Sequence, residues 1–153
     1  VPHQVRSYAF YERALTRQIK YLKWVFPHTP VLVIGLSDMS QNKGNYYESY
    51  PNIEKISQAQ RNAAKNTGAA FWDLYTAMGG KNSMPSWVSA DPPLAGPDYI
   101  HFTPKGAKRI AELFYKALYS DFTKFEAAQK AAKTKAAIKD SNQTKKDTSQ
   151  HVD

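Results

Sequence analysis

The sequence predicts an α/β fold with a parallel sheet, and three observations carry that reading. An amphipathic helix precedes PVLVIGL at 30–36, a short, β-branched and unbroken apolar run. A second helix precedes a second short strand, AAFWDL at 69–74. Turn-forming residues separate these elements, giving the rhythm helix, strand, helix, strand that crossover connections between parallel strands require.

Within the first helix, Tyr11, Leu15, Ile19, Leu22 and Phe26 recur at steps of three and four, so one face is apolar, and Pro27 ends the segment. The run at 30–36 does not alternate, as expected of a strand covered on both faces. SDMSQNKGNYYESYP at 37–51 reads as a polar loop. Asn52 then stands as the cap of a helix with Ile53, Ile56, Gln60 and Ala63 on one face, and Asn66-Thr67-Gly68 as its exit. Residues 75–98 are rich in Gly, Pro and Ser and read as a long loop, with Met84 and Trp87 favouring a packed one. Thr103 as cap and Pro104 as first helical residue open a last helix with Ala107, Ile110, Ala111, Phe114, Ala117 and Leu118 inward. Three segments follow: a core-forming part at 1–120, a Lys/Ala-rich helical extension at 121–140, and a disordered tail at 141–153.

This inventory has a deficit. Two strands cannot bury both faces of an open α/β sheet, which usually has about five. The chain therefore reads as the later half of a domain, its partner being the N-terminal half of that same domain.

Composition bounds the function. The absence of cysteine excludes disulfides, thiolate metal sites and a cysteine nucleophile. Lysine and arginine number 21 against 13 acids, a formal charge of +8, but the basic residues are spread out and not interleaved with stacking aromatics, so nucleic acid is not the expected partner. No apolar run approaches the ~20 residues of a membrane span. Val1 is not an initiator methionine, so the start reads as a cut, and localisation is not legible from this N-terminus. His3, His28 and His151 show no ligand spacing, so no metal site is expected.

The stretch PDYIHFTPKG at 97–106 sets Asp98 three residues before His101 and anchors both to a helix start. An imidazole acts as a base only when its tautomer and orientation are fixed. A carboxylate accepting the Nδ1 hydrogen fixes both and stabilises the imidazolium formed during reaction. The spacing alone is also that of an ordinary surface turn.

GPDYIHFTPKGAKRIAELFYKAL closely resembles the last conserved block of the SGNH hydrolases, also called the GDSL lipase/acylhydrolase family. In that family D-x-x-H supplies the triad acid and base just ahead of the final helix. The resemblance covers roughly residues 5–119 and is most specific over 97–118. The wording WDLYTAMGG, SMPSWV and DPPLAGPDYIHFTPKGA is most similar to bacterial peptidoglycan O-acetylesterases. The resemblance implies a flavodoxin-like three-layer α/β/α sandwich with a parallel sheet, of which this chain supplies only the later strands and helices. It further implies a serine esterase acting on acylated carbohydrate or a small ester, without cofactor, in the periplasm or secreted.

Only two site residues carry over from that family: Asp98 as orienting acid and His101 as base. The family's nucleophilic serine and its oxyanion-hole glycine and asparagine lie in blocks that do not occur here, and the pattern places them before Val1. Ser37 follows the strongest strand, but a nucleophile elbow needs small residues on both sides, and GLSDM has only the first glycine. Ser83, Ser86 and Ser89 have weaker claims. Trp87 is a candidate lining residue for an acyl or sugar pocket, and Tyr46, Tyr47 and Tyr50 could stack on a sugar. The alternative function is a non-catalytic carbohydrate-binding or interaction module derived from the hydrolase fold.

Overall fold

The computed structural model describes residues 7–148, with side chains described up to Lys135. The chain divides into two compact units, Val1–Leu113 and Phe114–Asp153.

The first unit is mixed α/β. Helix α1 spans Ala9–Val25, β1 Leu32–Ile34, α2 Ile53–Thr67 and β4 Ala70–Trp72. β1 and β4 pair in parallel, Leu32 opposite Ala70 and Ile34 opposite Trp72, as the crossover rhythm predicts. The pairing extends one residue either way through Ala70 N–H to the Val31 carbonyl at 2.9 Å and Gly35 N–H to that of Trp72 at 2.8 Å. α2 packs against both strands and against α1.

The expectation that the first strand is covered on both faces is not met in this chain. Leu32 is 42 % and Ile34 52 % exposed. Only Ile19 of the α1 apolar face is buried, with Leu22 and Phe26 exposed. The physical reason is the small sheet: among the described residues β1 has one neighbouring strand, and α2 cannot cover both of its faces.

α2 ends as its sequence dictates, with Gly68 in the left-handed region at φ 62°. The Lys23 ammonium, in the last turn of α1, donates to the Thr67 carbonyl at 2.7 Å, tying the two helix ends together. The cap at its other end differs from expectation. Asn52 makes no side-chain cap bond, and its Oδ1 is buried without a partner.

Two segments that read as loops are structured. Ser40–Asn42 (β2) and Tyr47–Ser49 (β3) form an antiparallel hairpin, closed by a turn in which Gly44 takes φ 96°. Within 75–98, α3 covers Leu74–Met78 and α4 Ser83–Val88. Asp73, read as the end of a strand, instead caps α3: its Oδ1 accepts from Thr76 N–H at 3.1 Å, and Arg61 pairs with its other oxygen. Leu74, Met78, Met84, Trp87 and Ala95 form the buried cluster, flanked by Phe102, Ile110 and Leu113.

The last helix, α5, spans Pro104–Thr148. Thr103 caps it as predicted: its hydroxyl accepts from Gly106 N–H at 3.1 Å and donates to the Pro93 carbonyl at 2.8 Å. The inward face is rotated from the expected one. Gly106 is buried and Ile110 and Leu113 reach the cluster, while Ala107 and Ala111 are exposed. Gly106 sets this phase, because a β-carbon there would lie 1.8 Å from the Leu94 carbonyl oxygen. We expect Gly106→Ala to destabilise the unit by at least ~1–3 kcal/mol, the usual cost of overpacking, since the obstacle is backbone. A chemical-denaturation midpoint equal to that of the unchanged chain would refute this.

In the second unit α5 continues to Thr148, so the backbone at 141–148, expected as a disordered end, is helical; residues 149–153 lie outside the described residues. No glycine or proline follows Gly106, so nothing in the covalent chain stops the helix. Tyr115, Leu118, Tyr119, Phe122 and Phe125 are exposed, Leu118 contrary to expectation.

Candidate functional site

Asp98 and His101 meet. The loop that carries them runs from Gly96 to Phe102, ahead of α5, and is pinched shut by an antiparallel bridge between Ala95 and Phe102. Gly96 N–H donates to the His101 carbonyl at 2.8 Å, and Tyr99 N–H to the Gly96 carbonyl at 3.0 Å. Inside this turn the Asp98 carboxylate is used twice. Oδ1 accepts from the backbone N–H of Ile100 at 3.0 Å and of His101 at 3.1 Å, as an aspartate does in a tight turn. Oδ2 lies 2.6 Å from His101 Nδ1.

With Asp98 ionised, Nδ1 carries a hydrogen towards it, and in the neutral imidazole Nε2 is then the nitrogen with the lone pair. The side chain of His101 is 82 % exposed, so the ring is open to a reacting group. Local geometry thus meets the requirements of a base and its orienting acid.

The same contacts set the charge state of the acid. The hydrogen bond from the imidazole, followed by the backbone donors of His101 and Ile100, holds the Asp98 carboxyl down at about 2, against an ordinary 3.8. For a depressed carboxyl, the stabilisation of the loop is fully present above the ordinary value and disappears as pH falls through the folded one. The pair should therefore persist through mild acid. An NMR titration of the Asp98 carboxyl carbon is expected to give a midpoint near 2; an unshifted midpoint would mean the loop does not hold its acid.

The other sequence-derived candidates fall elsewhere. Trp87 is 7 % exposed, packs on Phe102 and donates its indole N–H to the Met78 carbonyl at 3.0 Å. Its ring and its polar edge both lie in the core. Ser83 is buried, with its hydroxyl 3.4 Å from Asp38, and Ser86 donates to the Ser83 carbonyl at 2.7 Å. Ser89 Oγ lies 3.5 Å from the Ser86 carbonyl oxygen. Ser37 is half-buried between β1 and Asp38. Tyr46 is exposed, whereas Tyr47 stacks on Tyr99.

Sequence reasoning missed the residues around the pair. Ile100, between Asp98 and His101, lines an apolar cleft of about 300 Å³ with Met39, Tyr50, Ile53 and Ile56. These residues come from three separate stretches, and no single one signals a cleft. Among the described residues no cluster of three histidines or acids could hold a metal ion, and no helix is long and apolar enough to cross a membrane. His3 and His151 lie outside the described residues.

No family model and no curated protein matches the chain. Among solved structures it is similar to that of a peptidoglycan O-acetylesterase, at 27 % identity with a TM-score of 0.67 over 73 % of this chain. The match spans 32 % of that chain's length, so this sequence corresponds to about a third of it. The mixed α/β unit with its small parallel sheet is thus similar in fold to an esterase.

Proposed function

We propose that this chain is the C-terminal part of a serine esterase that hydrolyses ester-linked acyl groups, with O-acetyl groups of cell-wall glycan as the preferred substrate. The observation that carries the reading is the Asp98–His101 contact of 2.6 Å, held by a turn that leaves Nε2 open. Similarity to an esterase that this chain only partly spans supports the remainder: a three-layer sandwich whose other strands, nucleophilic serine and oxyanion hole come from residues preceding these. The exposed faces of β1 are where such strands would find apolar surface to cover. A periplasmic or secreted location follows from the substrate.

In this scheme the serine hydroxyl attacks the acyl carbonyl as its proton passes to His101 Nε2. Asp98 accepts from Nδ1 throughout and stabilises the imidazolium. The tetrahedral intermediate collapses when Nε2 returns the proton to the departing alcohol oxygen, leaving an acyl-serine. Water then attacks that ester, giving its proton to Nε2, which returns it to the serine oxygen as that oxygen leaves and the acid is released. The steps need neither metal nor organic cofactor.

The test is acetate release from O-acetylated peptidoglycan by the polypeptide that carries this chain together with its upstream part. Release is expected from the longer polypeptide, and none above background from the 153 residues alone. A longer polypeptide that binds glycan without releasing acetate would overturn the esterase reading in favour of a non-catalytic carbohydrate-binding module.

A further inference from the structure

Between Asp98 and His101 the backbone does something unusual. Tyr99 takes φ 59°, in the left-handed region that bulky side chains avoid. Glycine or asparagine would adopt this conformation more cheaply, so something outside the loop must hold the tyrosine there.

The hairpin does so by two routes. The Tyr99 ring lies flat on that of Tyr47 in β3, with centroids 3.5 Å apart and planes inclined by 7°. One residue-length away, Ser40 N–H of β2 donates to the Tyr99 carbonyl at 3.0 Å. The hairpin is itself immobilised from behind. Ser49 N–H donates to Asn82 Oδ1 at 2.9 Å, Asn82 N–H to Ser49 Oγ at 2.7 Å, and Ser49 Oγ to the buried Asp38 at 2.6 Å. An exposed acid and an exposed imidazole thus sit on a turn whose middle residue is clamped to a fixed ribbon.

We propose that Tyr47 is a positioning residue for His101, acting through Tyr99 to hold the turn in which Asp98 meets the imidazole. Tyr47 touches neither reacting group. Its ring pins Tyr99 in the left-handed conformation, and that conformation brings the N–H groups of Ile100 and His101 round to Asp98 Oδ1 while Oδ2 faces Nδ1. Without the clamp, Tyr99 relaxes to negative φ, the two N–H groups swing away, and the carboxylate loses its donors. The significance for catalysis rests on reading His101 and Asp98 as base and orienting acid; the clamp itself does not.

The experiment is an NMR titration of the Asp98 carboxyl in the full 153-residue chain and three variants of it, with amide spectra reporting the fold. The unchanged chain and Tyr47→Phe, which keeps the ring, are expected to share a midpoint near 2. Tyr47→Ala should move the midpoint towards the ordinary 3.8. Tyr99→Ala should do the same, since alanine faces a similar backbone cost and only the ring is lost, and it leaves the hairpin intact should Tyr47→Ala unfold. Alanine variants that titrate like the unchanged chain, or a Tyr47→Phe that shifts as far as Tyr47→Ala, would overturn the proposal. Failure of the esterase reading shows separately, as absent acetate release from the longer polypeptide with both tyrosines in place.

Discussion

His101→Ala in the longer polypeptide is expected to lower kcat for acetate release by ~10⁶-fold while moving KM little, because members of a nucleophile–base–acid set act as a unit. The side chain is 82 % exposed and its described hydrogen bond is with Asp98, an exposed pair, so its removal should lower the thermal midpoint only slightly. The loss is then a loss of chemistry and not of fold. Asp98→Asn is the companion change. An asparagine can keep Oδ1 on the N–H groups of Ile100 and His101 and so preserve the turn, but its amide then donates to Nδ1. The hydrogen is driven onto Nε2, where a base must have none, and turnover should fall by ~10⁴-fold. Near-normal turnover in either variant would reject the assignment of base and acid.

The parts of this molecule that were legible in its sequence are those whose signal is local and repetitive. The rhythm of helices and short apolar strands placed β1 and β4 within two residues of their ends and correctly paired them. The Asp98–His101 pair was legible for the same reason: three residues and one turn suffice to bring the two side chains together. Thr103 and Gly68 announced their helix ends through chemistry that acts at one position.

What was not legible depends on distant partners. SQN and YES carry no β-branched alternation, and their hairpin exists because Tyr47, Ser40 and Ser49 find Tyr99, the Tyr99 carbonyl and Asp38. α3 and α4, at five and six residues, are too short to show a helical period, and Pro85 falls within the first turn of α4, where it is tolerated but reads as a breaker. Trp87 favoured a packed loop from its sequence, but the partner that lets it be buried, the Met78 carbonyl, was not legible. The exposed strand faces depend on which strands lie beside β1, and periodicity within β1 cannot show that.

Asp38→Ala is expected to be among the most destabilising single changes in the first unit. Asp38 is fully buried, and its partners are neutral donors: Ser49 Oγ at 2.6 Å, Met84 N–H at 2.8 Å and Ser83 Oγ at 3.4 Å. These come from β3 and from α4, so one carboxylate joins the hairpin to the helix that holds the core. Alanine leaves the Met84 N–H and the Ser49 hydroxyl buried without acceptors, at ~1–3 kcal/mol each, and adds a cavity. Relief from burying a charge offsets part of this, so a net loss of ~2–4 kcal/mol is expected. Asp38→Asn should cost less. Its Oδ1 can still accept from Met84, but its amide then faces Ser49 Oγ, which already accepts from Asn82 N–H at 2.7 Å, and the serine hydroxyl hydrogen loses its acceptor. Chemical denaturation should rank the chains as unchanged, then asparagine, then alanine. Because the hairpin carries Tyr47, the Asp98 carboxyl midpoint should rise in the alanine variant even where the chain remains folded. An alanine variant as stable as the unchanged chain would show that Asp38 is not the joint between hairpin and core.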